Sequence, residues 1–156
     1  MKPRGFSLLV MLTASACRTP PLTVADLAGC YEASLGAWDR VPDQDRVLLP
    51  PAAFRLDTVE LWRRDGYVVY RAVPDLDIYR PRSHRASWLL FGDADSIAIV
   101  WADGYTGLGF GLVRLSRDSA SGTAVAFHDN FTGPDPTAPV HLTRVPCAAM
   151  GSNHGR

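Results

Sequence analysis

A chain of 156 residues, 47% hydrophobic, has room for one domain with a real core. Its 16 basic residues balance 16 acidic ones, which leaves no long-range field to draw in nucleic acid and disfavours DNA or RNA binding. Lys2 is the only lysine and Asp far outnumbers Glu, a usage poor for surface helices and tolerable in strands and turns.

The chain opens on a basic pair, Lys2 and Arg4, and an apolar run over 5–16 that is far shorter than the ~20 residues needed to cross a bilayer. Ala14-Ser15-Ala16 supplies the small side chains of a signal-peptidase site. The position of Cys17 resembles the lipobox of bacterial lipoproteins, with Ala14 where Leu is usual. That resemblance implies an acylated Cys17 and an anchor in the cell envelope, facing the periplasm or the outside. The same Ala-x-Ala also suits plain secretion. Residues 1–16 are read as the signal, 17–22 as a tether, 23–149 as one domain and 150–156 as a disordered tail with nothing to bury. No other segment is long and apolar enough to span a membrane.

Thr23-Val-Ala-Asp26 has capping-box spacing, so one helical turn is expected over 23–28. Beyond it no sustained 3.6-residue apolar repeat occurs. Short runs rich in Val, Ile, Phe, Tyr and Trp predict eight strands at about 28–35, 54–63, 67–73, 86–91, 96–102, 106–116, 122–129 and 139–146. Asp65-Gly66 and Asp103-Gly104 are two-residue hairpin signals. Each strand is expected to pair with its chain neighbour, as a meander.

Successive connections of a meander alternate between the two ends of the sheet. Connections 36–53, 74–85, 103–105 and 130–138 share one end, and three of them are the longest in the domain. Those at the other end, 64–66, 92–95 and 117–121, are all short. This predicts an up-and-down barrel with one tight end and one open mouth.

Cys30 opens the first strand and Cys147 follows the last. An exported chain meets an oxidising compartment, so a Cys30–Cys147 disulfide is expected, with buried free thiols as the alternative. An open sheet would hold them roughly seven strand spacings of ~4.8 Å apart, beyond disulfide reach, whereas a closed ring makes them neighbours. Ile97-Ala-Ile-Val-Trp101 and Trp88-Leu-Leu-Phe91 are apolar on both faces and expect cover outside as well as inside. A two-sheet β-sandwich is the alternative fold that would supply it.

On Gly29-x-Tyr31 in the first strand and Arg144 in the last, the chain resembles the lipocalin-like (calycin) barrels. That family places a Gly-x-Trp on its first strand, after a short helix, with an arginine of the last strand over the ring. Tyr31 stands where Trp is usual, and the family's second motif and C-terminal helix are not found. The resemblance implies a scaffold that carries small apolar ligands, and bacterial lipocalins are often outer-membrane lipoproteins.

Trp38, Tyr79, Trp101, Tyr105 and Phe131 fall in or beside mouth connections, an arrangement suited either to a ligand rim or to a plug. Arg80, Arg82, His84 and Arg85 form the densest cationic run, fit for an anionic head group or simply a solvated loop paired to Asp75 and Asp77. Gly107, Gly109 and Gly111 lack the following helix that a phosphate loop needs. They predict instead a strand face on which the sheet bends or a neighbouring ring lies. His128 and His141 sit on adjacent strands towards the mouth, as polar lining, surface histidines or, with Asp129 or Asp135, a site. No metal-ligand spacing, hydrolase signature or cofactor motif is present. The leading expectation is non-catalytic binding of a small apolar or amphipathic molecule in the mouth. The rival is an envelope protein-interaction module, an inhibitor or assembly factor, using loops or an outer apolar patch.

Overall fold

The computed structural model describes residues 20–42, 51–74, 76–79, 82–92, 95–102, 106–128 and 133–148, with the backbone alone at 76–79 and 82–85. The expected signal, the lipidated Cys17 and the tail 150–156 lie outside these residues. Thr23 and Asp26 form the capping box their spacing predicts. The Asp26 amide donates to Thr23 Oγ1 at 3.3 Å and the Thr23 amide donates to Asp26 Oδ2 at 3.0 Å, which starts α1 (Val24–Leu27). The hydrogen bonds from Thr23 hold the Asp26 carboxyl below its ordinary value, and the Arg117 guanidinium at 3.1 Å adds to the effect.

The strands are β1 (Gly29–Leu35), β2 (Ala53–Arg64), β3 (Tyr67–Val73), β4 (Leu76–Tyr79), β5 (Arg82–Leu90), β6 (Ile97–Ala102), β7 (Thr106–Leu115), β8 (Ser119–His128) and β9 (Thr137–Val145). All pairings are antiparallel, and β3 reaches β5 at Tyr70↔Trp88 and Arg71↔Ser87. β1 closes on β9 from Cys30↔Val145 to Leu35↔Val140. Eight strands thus complete one ring, a closed meander barrel, and not the two sheets of a sandwich. The ninth, β4, pairs with β5 from Leu76↔His84 to Tyr79↔Arg82. Residues 74–85, expected as an irregular mouth connection, therefore contain a short hairpin. Leu76-Asp-Ile-Tyr79 is a period-two run too brief to be told from a loop in the sequence.

Asp65 (φ 52°) and Gly66 (φ 83°) both take the positive dihedrals of a type I′ turn, so the β2–β3 hairpin closes as expected. Asp103-Gly104 lies outside the described residues. The Cys30–Cys147 disulfide forms, with Cα atoms 5.2 Å apart, at the tight end where β1 begins and β9 finishes.

Arg144 organises that end. Its Cζ lies 5.7 Å from the centre of the Tyr31 ring, directly across the β1–β9 ladder. Arg144 Nη1 donates to the carbonyls of Asp26 and Arg117, each at 2.8 Å, and Nη2 donates to the carbonyl of Ala28. The guanidinium so satisfies the carbonyls left over where α1 hands over to β1. Gly29 makes room for it: a side chain there would stand 2.5 Å from Arg144 Nη2, on a backbone with φ 153°. Tyr31 completes the arrangement by donating its hydroxyl to the Leu27 carbonyl at 2.7 Å.

Inside the ring, alternate residues of every strand converge. Phe54, Trp88, Trp101, Phe110, Leu108, Leu112, Ile97, Ile99 and Leu142 are each no more than 2% exposed. Phe54 meets Trp101 edge-on at 5.3 Å and lies 6.3 Å from Phe110, while Trp101 meets Phe110 edge-on at 5.2 Å. Both buried indoles find an acceptor: Trp88 Nε1 donates to the Asp57 carbonyl at 2.9 Å and Trp101 Nε1 to the Pro74 carbonyl at 3.2 Å. Over the described residues the barrel interior is filled with side chains.

Candidate functional site

Of the ten residues expected around the mouth, the structure describes the side chains of Trp38, Trp101 and His128. Trp101 is fully buried, because it shares the inward face of β6 with Ile97 and Ile99. Trp38 is half-buried and packs against the core. Its segment runs beside the start of β9, where the Gly36 amide donates to the Pro139 carbonyl at 2.8 Å and the Asp39 amide to the Thr137 carbonyl at 2.9 Å. Asp39 answers by accepting from the Thr137 amide at 2.7 Å and its hydroxyl at 3.2 Å, and the amide bond first of all holds its carboxyl below the ordinary value. Arg80, Tyr105 and Phe131 lie outside the described residues, as do the side chains of Tyr79, Arg82, His84 and Arg85.

The glycines of β7 behave structurally. A side chain at Gly107 would stand 2.6 Å from the Phe127 ring and 2.8 Å from Ala102 Cβ, so Phe127 of β8 lies over Gly107 on the outer wall. That ring is part of the outside cover which the two-faced apolar β6 demands.

The two strand histidines part company. His128 follows Ala124 and Ala126 on the inward-facing side of β8, whereas His141 lies between buried Val140 and Leu142 and faces out. Among the described residues, no group of three or more His, Cys, Asp or Glu side chains is placed to hold a metal.

His141 belongs instead to a groove on the outer wall. Register places Ser34 of β1 beside His141, His141 beside Ser121 of β8, and Ser121 beside Arg114 of β7. These four outward side chains form one row across four strands. Ser121 Oγ and His141 Nδ1 share a hydrogen bond of 2.7 Å. A bulge between Leu112 and Arg114 lifts Val113 out of the ladder to 65% exposure, making one wall of a cavity of about 560 Å³; Pro139 lines another part.

The charges of this face differ from those elsewhere. Arg55 and Arg71 both grip Asp57, each at 2.7 Å, Arg63 grips Glu60 at 3.0 Å, Arg64 grips Asp65 at 3.2 Å and Arg117 grips Asp26 at 3.1 Å. Burial pushes the Asp57 carboxyl up, but the bonds from Arg55 and Arg71 outweigh it and hold it below its ordinary value. Arg114 has no carboxylate partner among the described residues. Glu32 stands on the same outer face, opposite Thr143, at the next outward pair along β1.

A second exterior feature lies across the barrel, at the tight end. Trp62 (53% exposed) and Tyr67 (48%) flank the β2–β3 turn with Leu61 and Val59, and Tyr67 meets Phe91 edge-on at 6.3 Å. Nothing among the described residues covers them. The Ser34–Arg114 row was not legible beforehand, since it depends on which strands lie side by side, whereas of the patch Phe91 alone stood in a run expected to need outside cover. Among the described residues, no helix is long and apolar enough to cross a membrane. Comparison with known family models, with curated proteins and with solved structures finds no match for this chain.

Proposed function

We propose that the protein is a non-catalytic interaction module of the cell envelope that engages a protein partner through the aromatic patch at the tight end of its barrel. One contrast carries this reading. The interior is packed with rings at 0–2% exposure, while Trp62, Tyr67 and Phe91 stand in solvent beside Arg63 and Arg64. Trp, Tyr and Arg are the side chains that dominate protein–protein hot spots. The closed ring, the short helix before β1 and the Arg144–Tyr31 stack support kinship with lipocalin-like barrels, on a scaffold whose described inward side chains are packed together.

The same reading takes residues 1–16 as an export signal and Cys17 as a lipid anchor. A tether over 17–22, extended, spans roughly 20 Å. It leads into α1 at the tight end, so the patch would be presented close to the membrane.

The test compares wild type with Trp62→Ala/Tyr67→Ala. In-cell crosslinking from the β2–β3 turn should trap a discrete partner with wild type and lose it with the variant, at unchanged thermal stability. A fluorescent fatty acid should show no saturable binding. Saturable fatty-acid binding that survives the double substitution, or a blue shift of Trp emission on lipid vesicles with no protein adduct, would replace the partner reading by a ligand or membrane one.

A further inference from the structure

We propose that the outer groove over β1, β9, β8 and β7 binds a small organic anion, a carboxylate or phosphate with a short apolar group, and that Arg114, His141, Ser121 and Ser34 hold its charged end. This site is separate from the aromatic patch and does not rest on the partner reading.

Four observations converge. The polar row comes from four paired strands, so its geometry is set by the sheet and not by a loop. Arg114 is the described arginine side chain with no partner, where Arg55, Arg63, Arg64, Arg71 and Arg117 hold carboxylates and Arg40 and Arg144 hold carbonyls. A guanidinium fork matches a carboxylate or phosphate in two parallel bonds. The Ser121 hydrogen bond at 2.7 Å fixes the imidazole by Nδ1, and Nε2 has no partner among the described residues. Finally, Val113 and Pro139 give the cavity of about 560 Å³ apolar walls beside its polar row, the usual mixture for a small-molecule site.

The Ser121–His141 pair does not read as a nucleophile and its base. Such a pair is oriented by a third group on the far ring nitrogen, and no carboxylate among the described residues takes that place. Binding is what the row can do. On an open wall the interaction is screened, so it weakens as salt rises.

The experiment follows the His141 imidazole by ¹⁵N–¹H NMR while the purified protein is titrated with inorganic phosphate or, separately, butyrate at constant ionic strength. Saturable shifts are expected with at least one of them, at least fivefold weaker binding in Arg114→Gln, and unchanged binding in Arg64→Gln, whose charge sits at the β2–β3 turn, paired to Asp65 and not among the groove's lining residues. Saturation by butyrate alone assigns a carboxylate, and saturation by phosphate alone assigns a phosphate. No saturable shift with either anion, or equal affinity in wild type and Arg114→Gln, overturns the site. Neither result touches the crosslinking of the Trp62 patch.

Discussion

Replacing Phe54 by Ala tests whether the barrel is as full as its rings imply. Phe54 is 0% exposed and packs on Tyr31 at 6.2 Å, Trp101 at 5.3 Å and Phe110 at 6.3 Å. A ring of this kind buries about 150 Å² of apolar surface, which at about 25 cal/mol per Å² amounts to about 4 kcal/mol. That agrees with the roughly 3–5 kcal/mol usual for Phe→Ala in a core that relaxes only in part. With a urea m-value of about 2 kcal/mol per molar, the unfolding midpoint should fall by about 2 M. Urea unfolding followed by Trp emission reads the change, since Trp101 loses its edge contact. Benzene should restore part of the lost stability by occupying the new apolar space. A midpoint shift below about 0.5 M, with the slope unchanged, would mean that Phe54 already borders empty space. The interior would then be a pocket, and the case for an exterior function would fail.

Cys30→Ser/Cys147→Ser should cost about 4–5 kcal/mol, because the link closes a loop spanning 117 residues; a loss under about 1 kcal/mol in urea unfolding would refute the loop argument. Gly107→Ala and Gly111→Ala should diverge, since an added methyl at 107 meets Phe127 and Ala102 while one at 111 has nothing within 4 Å. The first should lower the melting temperature and the second leave it level or raise it slightly, and equal effects would contradict the packing. Asp26 and Asp39 have carboxyls depressed by their hydrogen bonds, so their stabilisation is complete above the ordinary carboxylate range and is lost as pH falls through the depressed values. Melting temperature should therefore drop on acidification below about pH 4, and Asp39→Asn should flatten that fall; an unchanged slope would remove Asp39 from the account.

The features that came through in the sequence are those set locally or by counting. Thr23 and Asp26 sit three apart, and their capping box forms in any chain that turns there. Asp65-Gly66 meets the backbone demand of a tight hairpin on its own. Strand alternation with loop-length parity implied a mouth and a tight end, and the cysteines flanking the first and last strands agreed with a closed ring, which the structure forms. The inward turn of Trp101 was also available, since it continues the odd-numbered face of Ile97 and Ile99. Its nearness to a loop left a rim and a plug both open, and its burial fits the plug.

Other features needed the assembled barrel. β4 is a four-residue strand that exists because β5 runs on past residue 86 and offers it an edge. Whether inward rings leave a hollow or lock together depends on the barrel's girth and on how Phe54, Trp101 and Phe110 tilt against one another. Alternation is the same in both cases. The row of Ser34, His141, Ser121 and Arg114 depends on two registers and a bulge, none of which is written in any one segment. Local chemistry thus determined the strands, the turns and the pairing of their ends. Interstrand register and ring packing, which are sums over distant residues, decided how the described inward rings lock together and which side chains share the outer groove and the aromatic patch.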